Sequence, residues 1–260
     1  MSKLRTTLER LSRGRYLKRR LPSRFKYTPF YVSPDAALRY LRPGTAVFDE
    51  LLEIIDDHIS EDSTVWDIGA NVGVFSFGAA SVAKKGSVIA VEPDIWLAQL
   101  MRKSLSLKEN KGLSIQILPC AISNVTGIAT FIIVNSGRSS NFLEAVHGSS
   151  QTDGFLGGIR EKVTVPTLTL DILLDFVNPP SFVKIDVEGA ELMVLNGARK
   201  ILAEIRPTIY TEVCSDVSKE ITSIFHQNSY VLFDGTKRIQ EQKPIDVCVW
   251  NTLAVPQEKI

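Results

Sequence analysis

The stretch Val65-Trp66-Asp67-Ile68-Gly69-Ala70-Asn71-Val72-Gly73 decides the fold. An apolar run of buried-strand type feeds a turn that carries two glycines, and residues 74–84 then read as a helix. Strand, glycine turn and helix start, in that order, make a cradle for a small molecule. Gly69 can take backbone angles closed to other residues, and Gly73 lets the helix approach strand and ligand with no Cβ in the way. Asp67, just before the turn, is placed to accept hydrogen bonds from loop amides or from a cationic ligand head.

A second signal follows. Ser87-Val88-Ile89-Ala90-Val91 reads as another buried strand and ends in Glu92-Pro93-Asp94, with Glu92 nineteen residues past Gly73. An acidic side chain at the tip of the second strand is where an α/β nucleotide-binding fold places its acceptor for ribose hydroxyls. The turn is not the dinucleotide fingerprint, because the three glycine positions of G-x-G-x-x-G fall on Gly69, Asn71 and Val74. That pattern argues for a nucleoside without a pyrophosphate.

Outward from this core, strands and helices alternate. The patterning predicts strands near 63–68, 87–92, 114–118, 181–186, 207–213, 229–233 and 247–253, and helices near 45–58, 74–84, 95–108, 190–203 and 217–227. Such alternation calls for a mostly parallel sheet covered on both faces. The last two strands, joined through Asp234-Gly235 and a polar stretch without helical period, read as an antiparallel hairpin at one edge. Residues 128–169 interrupt the pattern, with a strand-like run at 129–134, then Gly137-Arg138-Ser139-Ser140-Asn141 and a polar loop at 148–158. Long polar insertions of this kind are functional lids or mobile loops, and a substrate-side lid is the expectation here.

Composition bounds the rest. The 260 residues are 44% hydrophobic, enough for a packed core. The expected organisation is a basic N-terminal extension over 1–44 and one α/β domain over 45–260. Residues 1–26 hold ten Lys or Arg against Glu9 alone, leaving 20 basic against 28 acidic residues in the remainder, so the net +1 conceals a basic tail on an acidic body. Leu4, Leu8 and Leu11 fall on one helical stripe with Arg5, Arg10, Arg13 and Arg15 around it. That suits an anionic membrane surface, an RNA or an acidic partner, and equally a helix packed on the protein's own acidic body or on a second copy in a homodimer. No apolar run approaches a membrane span and the basic start lacks the apolar stretch of a signal peptide, so the expected location is the cytoplasm. Cys120, Cys214 and Cys248 are odd in number and far apart, as free thiols are; neither a disulfide framework nor a zinc site is indicated.

Asp67-Ile68-Gly69-Ala70-Asn71-Val72-Gly73, followed by Val91-Glu92-Pro93, resembles motif I and the acidic second-strand motif of class I S-adenosylmethionine-dependent methyltransferases. Lys184-Ile185-Asp186-Val187-Glu188-Gly189-Ala190-Glu191 resembles the K-x-D-x-E-G-x-E signature of the FkbM methyltransferase family, with Arg206-Pro207 and a strand ending in Glu212 after it. The resemblance covers about 47–255. It implies a Rossmann-like class I methyltransferase fold, with a mostly parallel seven-stranded sheet, an antiparallel C-terminal hairpin and an N-terminal helical extension. S-adenosylmethionine is the implied cofactor. Its contacts would come from Asp67, Gly69, Ala70, Asn71 and Gly73 near the methionine part, Glu92 and Pro93 at the ribose, and Ala121, Ile122 and Ser123 near the adenine.

Methyl transfer is an in-line displacement that needs an aligned acceptor lone pair and a home for the acceptor's proton. An aliphatic hydroxyl requires a general base or a divalent metal to become nucleophilic. Asp186 is the first candidate for base or metal ligand and Glu212 the second. Glu188 is a further ligand or substrate contact, and Lys184 tunes or orients Asp186. A carboxylate group of this kind suits Mg²⁺, although no dedicated metal spacing is present. Asn178-Pro179-Pro180 precedes the fourth strand instead of ending it, which disfavours methylation of a base amino group. The expected activity is O-methylation of a sugar, glycoside or related natural product, with nucleic acid not the expected partner. An RNA methyltransferase anchored by the basic tail and a non-catalytic cofactor-binding protein are the open alternatives.

Overall fold

The computed structural model describes residues 14–42, 44, 48–135, 137–147 and 158–260. The Leu4, Leu8 and Leu11 stripe and most of the polar loop at 148–158 lie outside the described residues. In chain order the described elements begin with β1 (Leu17–Arg20), β2 (Pro29–Val32), α1 (Asp49–His58), β3 (Thr64–Ile68), α2 (Val74–Val82), β4 (Ser87–Val91), α3 (Ile95–Leu105) and β5 (Ile115–Leu118). The middle holds β6 (Ala121–Ile122), β7 (Gly127–Val134), β8 (Phe142–Leu143), α4 (Glu144–His147), β9 (Ile159–Leu168) and α5 (Leu170–Leu173). The chain then adds β10 (Phe182–Ile185), α6 (Glu191–Asn196), β11 (Thr208–Glu212), α7 (Ser218–Gln227), β12 (Tyr230–Asp234), β13 (Pro244–Ile245) and β14 (Asn251–Pro256).

The main sheet has the order β5-β4-β3-β10-β11-β14-β12-β13. Its first five strands are parallel, and β14 runs antiparallel between β11 and β12. The strand order reverses between β3 and β10, the geometry that opens a crevice beyond the carboxyl ends of the strands. The strands are apolar without alternation because both sheet faces are covered: Val65 and Val88 pack on one side, Trp66 and Ile89 on the other. On the first face α2 is buried over Val74 to Ser81, and its small residues let α1 in close; a Cβ on Gly78 would come within 2.5 Å of Ile55 Cδ1. On the second face Ile221 and Phe225 of α7 pack against Ile209 and Leu232.

Three features differ from the sequence expectation. The sheet has eight strands instead of seven, because Pro244–Ile245 adds a short edge beside β12. The last long strand starts at Asn251 and inserts inside the sheet, so the hairpin partner β14 is not an edge strand. The helix expected over 190–203 stops at Asn196, resumes at Arg199 and passes into a π turn over Ile201–Ile205. Gly197 sits where a Cβ would be 2.4 Å from Ser123 O, so the chain turns against the 123–124 loop.

The N-terminal segment is also unlike the expected helical extension. Residues 17–32 form the antiparallel hairpin β1–β2. Pro22, Pro29 and Pro34 are incompatible with a continuous helix, and Phe30 and Val32 alternate inward with no exposed surface. The hairpin is seated on α3: Tyr31 N donates to Ser104 Oγ at 2.8 Å, and Asn110 Nδ2 donates to Pro29 O at 2.7 Å. Phe25, Phe30 and Leu21 belong to the same buried cluster as α1 and α2. Basic charges of this segment pair with acids of the body, Arg24 with Asp56 at 2.7 Å and Arg20 with Glu109 at 3.0 Å.

The insertion is a second sheet, of order β6-β9-β7-β8. Its long strand β9 opens with Ile159-Arg160-Glu161-Lys162, whose charges disguise a strand with one exposed face. β9 pairs parallel with β6, which holds Ala121 and Ile122 in place beside the crevice.

Candidate active site

The carboxyl ends of β3, β4, β10 and β11 open into a cleft that encloses about 940 Å³ of atom-free space, its mouth included. The tip of β4 contributes Glu92 and Pro93 at one end, and the glycine turn lies beside it, after β3. The insertion lines the cleft with Phe131, Leu143 and the Arg138–Asn141 segment, and the far end, beyond β10 and β11, carries Asp186, Glu188 and Glu212.

The turn is fixed by its backbone. Gly69 N and Ala70 N both donate to Val91 O at 3.0 Å, and Asn71 N donates to Glu92 Oε2 at 2.8 Å. Gly69 has φ +79°, and a Cβ there would lie 1.8 Å from Asp186 O, so only glycine allows the β3 exit to pass this close to the β10 exit. Gly73, at φ +84°, does a different job from the one its spacing suggests. A Cβ at Gly73 would meet Met101 Sδ at 2.9 Å, so it makes room for α3 packing and does not border the cleft.

Asp67 is wholly buried and is not on the cleft wall. Its Oδ1 lies 3.1 Å from Lys184 Nζ and its Oδ2 accepts a 2.5 Å bond from Ser76 Oγ. Lys184, 3% exposed, also donates to Gly69 O at 3.2 Å and lies 3.3 Å from Asp186 Oδ2. Burial alone would push this ammonium down, but the carboxylates of Asp67 and Asp186 outweigh it and hold its pKa above the usual lysine value. The row Asp67, Lys184 and Tyr210 runs straight across β3, β10 and β11. Lys184 is therefore the strut between the glycine turn and the acid rim.

At the rim, burial pushes Glu188 up to about 8 and Glu212 up to about 7, with the charge of Asp186 acting in the same sense on both. Glu188 has φ +53°, a left-handed conformation unusual outside glycine, and Gly189 follows at φ +97°. Glu191 is turned away from ligand contact: its Oε1 accepts from Gly189 N at 3.0 Å and from Val187 N at 3.4 Å, which fixes the bend that presents Asp186 and Glu188.

At the opposite end Glu92 is buried, and desolvation pushes its pKa up to about 8 despite amide bonds from Asp94 and Asn71. Asp94 caps α3 through Trp96 N at 2.9 Å and accepts from Arg138 Nη1 and Asn141 Nδ2. Arg138 is 7% exposed, bridges Asp94 to Asp35 of the N-terminal segment, and lies 4.9 Å over the Trp96 ring. The N-terminal segment and the insertion thus meet above the second-strand motif.

Of the residues expected at the site, Gly69, Asn71, Glu92, Pro93, Ala121, Ile122, Asp186, Glu188 and Glu212 border the cleft. Asp67, Ala70, Gly73, Ser123 and Lys184 stand behind its wall; Ser123 N is occupied by Leu168 O at 2.9 Å. Sequence reading missed Arg39, Phe131 and Leu143 on the wall, and the anchoring role of Arg138. Gly137-Arg138-Ser139-Ser140-Asn141 after a strand carried a signal; Arg39, distant in sequence from every motif, carried none. Among the described residues no group of three or more His, Cys, Asp or Glu side chains is arranged to hold a metal ion. Among the described residues no helix is long and apolar enough to cross a membrane.

A doubly covered parallel sheet with its last long strand inverted, and a cleft between a glycine turn and an acid rim, define a class I methyltransferase architecture. A family profile for the methyltransferase FkbM domain matches residues 67–232, and the chain belongs to that family and is a methyltransferase. It is similar to the hexuronic acid methyltransferase AglP of Haloferax volcanii, 23% identical over 198 residues that span 70% of this chain and 75% of that protein. It is also similar to the methyltransferase sdnD of Sordaria araneosa, 25% identical over 223 residues that span 74% and 84% of the two chains. Among solved structures, methyltransferase FkbM from Methylobacillus flagellatus KT aligns with a TM-score of 0.47 and 19% identity, over 75% of this chain and 44% of that one.

Proposed function

We propose that this methyltransferase acts on a hydroxyl group of a sugar, glycoside or related natural product, with S-adenosylmethionine as the methyl donor. The observation that carries the reading is the division of the cleft. By strand order Glu92, at the tip of β4, stands at one end and the carboxyls of Asp186, Glu188 and Glu212, beyond β10 and β11, at the other, with the glycine turn between; Ile122, Phe131 and Leu143 give the cleft its apolar wall. The first end suits a nucleoside: Glu92 keeps lone pairs for ribose hydroxyls beyond its two amide bonds, and the apolar side chains flank a purine.

S-adenosylmethionine supplies the electrophilic methyl group and a sulfonium charge that nearby carboxylates favour. Asp186, oriented by Lys184, is the group placed to take the acceptor's proton, with Glu212 beside it. Glu188 is placed to bond further hydroxyls of a polyol. The bridge from Asp35 through Arg138 to Asp94 holds the insertion over the nucleoside end and keeps water from it. Asn178 lies before β10, its carbonyl accepting from Trp66 Nε1 at 3.2 Å, so the Asn-Pro-Pro run is at the wrong end of the strand for amino-group chemistry. The name of one relative, a hexuronic acid methyltransferase, agrees with a sugar acceptor.

Incubation with methyl-labelled S-adenosylmethionine and a cell extract fractionated into glycans, lipids and RNA tests the reading. Label is expected in the glycan or small glycoside fraction; label confined to RNA or lipid would overturn it.

A further inference from the structure

Arg39 is an exposed cation on the cleft wall. It sits in the 3-10 turn Leu38–Leu41, which follows the β1–β2 hairpin and is anchored by the buried Tyr40. The other arginine on the wall, Arg138, is buried and already engaged by Asp35 and Asp94. Arg39 is different. Among the described residues its guanidinium makes no ion pair; it lies with Cζ 5.6 Å from the centre of the Tyr40 ring and hydrogen-bonds the Tyr40 side chain.

Its place along the cleft is defined by the groups that feel its charge. Arg39 borders the same cleft as Asp186, Glu188 and Glu212, its charge is felt by Glu188, Glu212 and the adjacent Tyr40, and Tyr40 in turn feels Asp186. A guanidinium carries five N–H donors in a planar fork that matches a carboxylate through two parallel bonds. Held by Tyr40 and left without a carboxylate partner, Arg39 brings that fork to the transfer end of the cleft. Glu188 and Glu212, whose burial favours their neutral forms near pH 7, do not compete as full charges for it.

We infer that Arg39 binds a ligand carboxylate at the transfer end of the cleft and so selects for an anionic group there. The inference rests on the proposed use of S-adenosylmethionine and a sugar acceptor, and it deepens that reading, because the carboxylate comes either from the amino-acid part of the cofactor or from an acidic sugar. Arg39 is exposed and outside the core, so Arg39→Gln keeps the fold, and Arg39→Lys retains the charge without the fork.

Two arms distinguish the sources. The full-length protein and both variants are titrated calorimetrically with S-adenosylhomocysteine and with its decarboxylated analogue. In parallel, label transfer from S-adenosylmethionine is measured into an acidic glycan fraction and into the same fraction after chemical reduction of its carboxyl groups. If Arg39 holds the cofactor, Arg39→Gln weakens S-adenosylhomocysteine by about tenfold or more and leaves the decarboxylated analogue unchanged. If it holds the acceptor, cofactor affinity is unchanged, label transfer into the acidic fraction falls by a similar factor, and transfer into the reduced fraction does not change. In either case Arg39→Lys restores part of the loss. Variants that match the wild type in both arms, or that weaken both cofactor forms equally, overturn the inference. A wild-type protein that fails to bind S-adenosylhomocysteine at all contradicts the cofactor assignment itself.

Discussion

Lys184 Nζ lies 3.1 Å from Asp67 Oδ1 at matched positions of two neighbouring parallel strands, with the side chains 3% and 0% exposed. A charge pair so placed is sustained only if every remaining valence finds a partner, and here Ser76, Gly69 O and Asp186 complete it. The pair ties the glycine turn after β3 to the acid rim after β10.

Replacing Lys184 by Met leaves Asp67 buried without its counter-ion. The expected cost is about 3–5 kcal/mol of folding stability, read from urea unfolding midpoints, with the glycine turn loosened as well. A loss below about 1 kcal/mol, within the range of an exposed pair, would contradict the strut.

Gly69→Ala forces a Cβ to within 1.8 Å of Asp186 O on a backbone at φ +79°. The backbone conformation alone costs about 1–3 kcal/mol, and the β10 exit must also shift. Both thermal stability and cofactor affinity are expected to fall. Gly44→Ala, where nothing lies within 4 Å although φ is also positive, separates backbone strain from the steric clash: a Gly69→Ala variant no worse than Gly44→Ala would refute the close approach.

Glu92 holds its proton up to about pH 8 in the folded protein, chiefly through desolvation, whereas the group ionises near 4.5 without that environment. Between those values the native state binds the extra proton. Its contribution to stability is therefore full at acid pH below the lower value and is lost as pH rises through the upper one. The melting temperature is expected to decline over that window, and Glu92→Gln, which keeps the shape and removes the titration, is expected to flatten the decline. Identical pH profiles for the two proteins would exclude this role for Glu92.

Much of this arrangement is legible in the sequence where local chemistry is specific. The glycine turn, the acid at the second strand tip and the alternation of strands and helices identify β3, β4, β10 and β11, because apolar runs bounded by turn residues admit few other readings. The misplacements have physical causes. Asp67 looks like a ligand contact because it stands beside the turn; that it is consumed by Lys184 follows only from the register of strands 117 residues apart. The same long-range pairing hides the insertion sheet, since its charged start conceals β9, the strand that pairs with β7. Charge dominates the N-terminal segment as a sequence, whereas its structure is set by Phe25, Phe30 and Val32, which are buried against helices far along the chain. Arg39 reaches the cleft by that route, and no motif marks it.

Asp186→Asn preserves the size of the side chain and removes the base. Methyl transfer is expected to slow by about a hundredfold or more, with S-adenosylhomocysteine affinity retained. Retained turnover would move the proton-accepting role to Glu212, and a parallel loss of affinity would show a binding role instead.

The central claim is that the cleft between the glycine turn and the acid rim holds S-adenosylmethionine, with Glu92 on its ribose. Calorimetric titration of the purified protein with S-adenosylhomocysteine, repeated on Glu92→Ala, tests it most directly. The expected result is one saturable site per chain in the wild type and a loss of affinity of about tenfold or more in the variant. Absence of binding heat in the wild type, or equal affinity in the two proteins, would contradict it.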